Sequence, residues 1–183
     1  MWKRHSCLRI RPAIYNDKEV FGRERDTFLL PEDITQLAGM EEIGATVVAV
    51  YMRYLHDVLK QANMCSMVGF IDPATPSLVL LIVRQREETV YFSGSSARKS
   101  CGRAGRKSVI WKTLSGTPKQ PSNVECGYYV MRFMRDIIMD PSLAFEKKYA
   151  KGNQEAPYPK KQLMKSGMKW AEFVCQIIEQ GNY

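Results

Sequence analysis

A chain of 183 residues, 45% hydrophobic and 25% charged, suits one globular domain with a core of its own. No apolar run approaches the roughly 18 residues that span a bilayer. The charged start, Met1 to Cys7, is followed by no apolar core, so neither a membrane span nor a signal peptide is expected.

The net charge of +8 favours acidic partners. Cys7, Cys65, Cys101, Cys126 and Cys175 are odd in number and scattered, with no CxxC or Cys/His pair at metal spacing. That pattern argues against a disulfide framework and a metal site and for a reducing, intracellular compartment, nuclear or cytoplasmic; no cofactor is expected.

Residues 1–28 are polar, basic and weakly periodic, and read as an extended or partly ordered arm; residues 29–183 read as the domain. Pro31-Glu32-Asp33 opens a short helix that Gly39 ends. Over 43–61, Val48, Met52, Leu55 and Leu59 form one helical stripe, widened by Tyr51 and Val58. His56 lies at its edge with no polar companion at helical spacing, so it reads as structural rather than as a base or ligand.

Residues 77–84 are an almost continuous apolar run of strand length, and 89–92 a second strand, joined by a four-residue polar connection into a hairpin. Val109-Ile110-Trp111 is a candidate third strand or short buried anchor. Between them, Arg98, Lys99, Arg103, Arg106 and Lys107 cluster in a glycine- and serine-rich segment without interleaved aromatics. A solvated loop is the plain reading there, and the absence of aromatics argues against a stacking platform for nucleic acid.

The informative stretch runs from Gln120 to Ile138. A polar loop ends at Cys126, and Val130, Phe133, Met134, Ile137 and Ile138 then recur at helical spacing until Asp140-Pro141 stops the helix. Cys126 is therefore expected at the helix N-terminus, where unpaired N–H groups and the positive dipole end suit an anion. Gln120, six residues upstream, offers an amide that can stabilise the oxyanion of acyl transfer. A buried core thiol is the plain alternative for Cys126. A last helix, from about Lys160 to Glu179, buries Trp170, Phe173, Val174 and Ile177.

Gln120-Pro121-x-Asn123-x-Glu125-Cys126-Gly127-Tyr128-Tyr129-Val130 resembles the nucleophile segment of the ubiquitin-like-protein-specific (SUMO) cysteine peptidases, most of all the branch found in plant transposable elements. Tyr51-x-x-Tyr54-Leu55-x-x-Val58-Leu59 with Gly69 to Pro73, and Tyr158 with the Trp170 helix, match other parts of that branch more loosely. The resemblance implies an α+β, papain-like fold: a small central mixed or antiparallel sheet flanked by helices. It implies Cys126 as nucleophile, Gln120 in the oxyanion hole and a ubiquitin-like modifier or its conjugates as partner.

The same resemblance exposes what is different here. Family members carry Asp before the cysteine, where Glu125 stands. Their catalytic histidine opens a central strand, where this chain has Ser77, and the orienting aspartate ends the next strand, where it has Gly94. Serine is no base at neutral pH. The expectation is thus a cysteine-type peptidase domain with weak or no turnover, alternatively a non-catalytic modifier-binding module. A basic nucleic-acid-binding accessory protein rests on charge alone. Ser77 and Gly94 are expected at the sheet end near Cys126, beside the nucleophile helix.

Overall fold

The computed structural model describes residues 13–16, 18–22, 25–73, 81–84, 89–92, 110–122, 124–140, 142, 144–150 and 156–180. Among these, β1 (Ala13–Asn16), α1 (Lys18–Phe21) and β2 (Arg25–Phe28) come first, then α2 (Pro31–Gly39) and α3 (Ala45–Gln61). They are followed by β3 (Leu81–Arg84), β4 (Thr89–Phe92), β5 (Ile110–Thr113), α4 (Cys126–Ile138), α5 (Phe145–Lys148) and α6 (Lys160–Gln180). The class is α+β, as expected: a small mixed sheet with helices, compatible with a papain-like arrangement.

Three amphipathic helices make the core, because each carries an apolar stripe that must be covered. α4 packs on α3 and on α6. Val47, Val48, Tyr51, Leu55 and Leu59 of α3 face Tyr128, Met131 and Met134 of α4 and Trp170 and Val174 of α6 in one buried cluster. The indole N–H of Trp170 donates to the Val47 carbonyl at 2.9 Å, which satisfies the one polar atom of the largest buried side chain. α6 also meets α2, where the buried Gly167 lies beside Leu37. His56 is buried in α3, in keeping with a structural role.

The sheet has order β3-β4-β5. β3 and β4 pair antiparallel with Leu81 opposite Phe92 and Arg84 opposite Thr89, so the expected hairpin forms. β5 adds parallel to β4, Thr89 opposite Ile110. The strand reading at 110 holds, but the buried-anchor reading does not: Ile110 and Trp111 are 52% and 45% exposed. The sheet reaches the core through Tyr91, whose ring meets Phe145 of α5 edge-on at 5.1 Å and whose hydroxyl donates to the Glu146 carboxylate.

One expectation is corrected. The segment read as an arm holds an antiparallel pair, β1 with β2, and α1 between them. Val20 and Thr27 are buried there, and β2 and α1 pack on α3. α2 ends at Gly39 as expected, and Met40 after it takes the left-handed conformation at φ 56°. Its N–H closes the helix on the Leu37 carbonyl. Residues 77–80 and 94, including Ser77 and Gly94, lie outside the described residues, as do His5 and the basic segment 98–107. Among the described residues no helix is long and apolar enough to cross a membrane.

Candidate active site

Cys126 is the first residue of α4 and is partly exposed. The first N–H bonded into the helical ladder is that of Tyr129, to the Glu125 carbonyl at 3.0 Å. The N–H groups of Cys126, Gly127 and Tyr128 thus precede the ladder and belong to the dipole-positive end. Ser122 Oγ donates to Glu125 Oε2 at 3.0 Å and folds the last residues of the loop back on themselves just before the thiol.

The residues after the cysteine anchor this end to the core. A Cβ on Gly127 would stand 2.4 Å from Ile43 Cγ1, so only glycine lets α4 begin against the loop between α2 and α3. Tyr128 is fully buried and its hydroxyl donates to the Gln36 carbonyl of α2 at 3.3 Å. Burial, with the Glu41 carboxylate adding, pushes that hydroxyl up to about 12. Tyr129 turns the other way. Its hydroxyl donates to the Lys119 carbonyl at 3.1 Å and accepts from the Tyr158 N–H at 3.1 Å. One phenol therefore ties the Gln120 loop to α4 and to the entry of α6.

That tie places Gln120. Its Nε2 lies 3.2 Å from Cys126 Sγ, and its Oε1 lies 3.4 Å from the same sulfur. The amide also donates to the Ser122 carbonyl, which steadies it within its own loop. An amide in this position donates to a thiolate or accepts from a thiol. A carbonyl attacked by Sγ would bring its oxygen close to Nε2, the geometry an oxyanion donor needs. The two residues expected to share a site, Cys126 and Gln120, do so.

The base is a different matter. His56 is the histidine among the described residues. It stands eleven residues into α3, about 16 Å along the axis from the helix start. That start is the end of α3 which, through Ile43, meets Gly127. His56 therefore belongs to the far end of α3 from the thiol. Among the described residues no group of three His, Cys, Asp or Glu could hold a metal ion.

A second polar centre on α4 escaped sequence reasoning. Asp136 is buried inside the apolar face, where its Oδ1 meets Arg132 Nη2 at 2.8 Å and its Oδ2 accepts from Tyr158 Oη at 3.0 Å. Lys148 donates to the Asp136 carbonyl at 3.1 Å, and the Tyr149 and Tyr158 hydroxyls lie 3.3 Å apart. Burial pushes Tyr149 up to about 12 and raises Tyr158 further, with Tyr149 and Asp136 reinforcing the latter. The i, i+4 spacing of Arg132 and Asp136 was the available signal.

Comparison with curated proteins and with solved structures gives no match. Comparison with protein families gives one over residues 86–166, somewhat under half of the chain. This segment carries β4, β5, Gln120, Cys126 and all of α4, and over it the chain is similar to the Ulp1 protease family, C-terminal catalytic domain.

Proposed function

We propose that this chain is a cysteine-peptidase domain of the ubiquitin-like (SUMO) protease type, related to the plant transposon branch, with turnover of modifier conjugates weak or absent. Cys126 is the nucleophile, Gln120 the oxyanion donor, and a ubiquitin-like modifier or its conjugate the partner. The reaction class is thiol-mediated amide hydrolysis: Sγ attacks the carbonyl, the amine leaves with a proton, and water releases the acyl group. The observation that carries this reading is the 3.2 Å approach of Gln120 Nε2 to Cys126 Sγ at the start of a buried helix.

Weak turnover follows from the letters. Ser77 and Gly94 stand where the family resemblance calls for the histidine and the aspartate, and neither accepts a proton at neutral pH. Loss of the base in a serine-protease triad costs roughly a millionfold in turnover. A thiol depends less on its base, being a few per cent ionised near pH 7 even unperturbed. The same replacements favour a second reading, a modifier-binding module that keeps the surface and not the chemistry. Nucleic-acid binding rests only on the charge of +8.

The test uses SUMO carrying a C-terminal electrophile, and a SUMO conjugate. The expected result is a thioether at Cys126 that is absent in Cys126→Ala, with little free SUMO released from the conjugate. Conjugate cleavage at about 1 per second or faster, abolished in Cys126→Ala, would overturn the weak-turnover reading. Binding of SUMO without any thioether would favour the second. The pair Ser77→His with Gly94→Asp is the constructive arm, in which gained cleavage shows that only the letters were lost.

A further inference from the structure

Residues 119–122 are exposed, and Gln120 carries a long side chain there. Its bond to the Ser122 carbonyl steadies the amide against its own loop, not against the thiol. Among the described residues, this stretch reaches a buried side chain where the Lys119 carbonyl accepts from Tyr129 Oη at 3.1 Å. Tyr129 and Cys126 are i, i+3 neighbours on α4, about 4.5 Å apart in rise. The nucleophile and the anchor of the Gln120 loop therefore ride on one turn of one helix. The contacts close a ring. It runs from Cys126 Sγ to Gln120 Nε2 at 3.2 Å, back along the chain to the Lys119 carbonyl, across to Tyr129 Oη, and one turn back along α4 to Cys126.

We infer that Tyr129 is the positioning residue of the oxyanion donor, acting through the Lys119 carbonyl; this rests on Gln120 having the donor role. A buried phenol can also be a plain staple of the fold, and two features distinguish this one. The first is direction. Tyr129 Oη accepts the Tyr158 N–H at 3.1 Å, so its own proton is left for Lys119. That N–H is the only one in Pro157-Tyr158-Pro159, since proline has none, and a residue before proline is held extended. Burial raises the ionisation of Tyr129 above the ordinary tyrosine value, so its hydroxyl stays a donor at neutral pH.

The second feature is the neighbour. Tyr128, also buried, sends its hydroxyl to the Gln36 carbonyl of α2. Holding α4 on the core thus falls to one tyrosine, and holding the loop to the next.

The test compares two reactions of Cys126 in the full chain. p-Nitrophenyl acetate acylates it: the thiolate attacks the carbonyl, an S–C bond forms through a tetrahedral oxyanion, and p-nitrophenolate leaves with the electrons of the broken C–O bond. Iodoacetamide alkylates it with loss of iodide and no oxyanion. Neither leaving group needs a proton from a histidine. In each chain the signal counted is the part lost when Cys126→Ala is added, and the ratio of the two rates cancels exposure and ionisation of the thiol.

Gln120→Ala should lower the ratio about tenfold or more. Tyr129→Phe keeps the ring against Phe133 and Tyr158 and with it the helical circular dichroism. It should lower the ratio about threefold or more, but less than about twofold further when added to Gln120→Ala. Tyr128→Phe should leave the ratio unchanged. Gln120→Asn, exposed and harmless to the fold, draws the amide back by a methylene and should fall toward Gln120→Ala. An unchanged ratio in Gln120→Ala removes the oxyanion reading, and this inference with it. A low ratio in Gln120→Ala with an unchanged one in Tyr129→Phe keeps that reading and overturns the inference. So does a fall in Tyr129→Phe that Tyr128→Phe matches or that persists in full without Gln120. A wild-type ratio in Gln120→Asn overturns it too, since the amide would then reach the thiol unaided.

Discussion

The two ends of α4 are built on different principles. At its start a thiol meets one neutral amide on a loop, and the groups around it, Gln120, Ser122 and Val124, are exposed. Three turns on, Asp136 joins a guanidinium, a phenol and a peptide carbonyl bound by Lys148, most of it out of water. The contrast shows where polar connectivity is used for architecture and where it is withheld for access. A thiol that must meet a large substrate cannot be enclosed by its partners. The helix that carries the thiol is fixed behind it by Tyr128 and Tyr129 and again at its other end by Asp136.

High pH should have the largest effect and should act on both ends, since Tyr128 behind the thiol and Tyr149 and Tyr158 at the far end are all buried phenols. The ordinary tyrosine value is 10, and burial pushes Tyr51 and Tyr149 up to about 12 and raises Tyr158 further. A folded-state value above the unfolded one means that the stabilisation is complete below pH 10. It is lost as the unfolded chain ionises first, between about 10 and 12. Tyrosinate absorbance and circular dichroism should therefore change together and cooperatively across that window.

Asp136→Ala comes next. It leaves Arg132 buried without its carboxylate and Tyr158 Oη without its acceptor, and should cost about 3–5 kcal/mol in urea unfolding. Gly127→Ala probes the other end through packing. Its Cβ meets Ile43 and should cost roughly 1–3 kcal/mol, partly recovered when Ile43→Ala is added.

The smallest stability effect and the sharpest contrast come from the site. Gln120→Ala should change stability by less than about 0.5 kcal/mol, because the side chain is exposed. It should nevertheless slow thioether formation at Cys126 with a modifier electrophile. If Gln120→Ala destabilised the fold as Asp136→Ala does, the division between the ends of α4 would fail.

The helices α3, α4 and α6 were legible because burial of one face imposes a 3.6-residue period on the sequence, and α2 from the proline and acids at its start and the glycine at its end. The hairpin was legible from two short runs and a polar connection. The pairing of β1 with β2 was not: four-residue strands carry too little period, and β2 packs on α3, which lies further along the chain. The parallel addition of β5 depends likewise on a partner that local sequence does not name. At the site, the meeting of Cys126 and Gln120 was readable from one helix start and one loop. Asp136 was not, because an acid beside an arginine on a helix reads the same whether water or protein surrounds it. The end of α2 at Gly39 was legible, whereas the left-handed conformation of the next residue, Met40, carried no signal in its side chain.

Gly116 has its N–H on the Tyr149 carbonyl at 3.0 Å and no room for a Cβ against the Ala150 carbonyl. With Lys119 held by Tyr129, the loop toward Cys126 is clamped to the core at two points three residues apart, and past the second the bonds of Gln120 and Ser122 run within the loop and to the start of α4. Opening of that stretch thus has a definite boundary. The amide of Gly116 should exchange its hydrogen on the slow timescale of the core, while that of Ser122, past the clamp, exchanges through small local openings. A substrate strand entering beside Cys126 would then meet a hinge rather than a loose loop, and the thiol would be gated by motion of a few residues while the fold behind it stays shut.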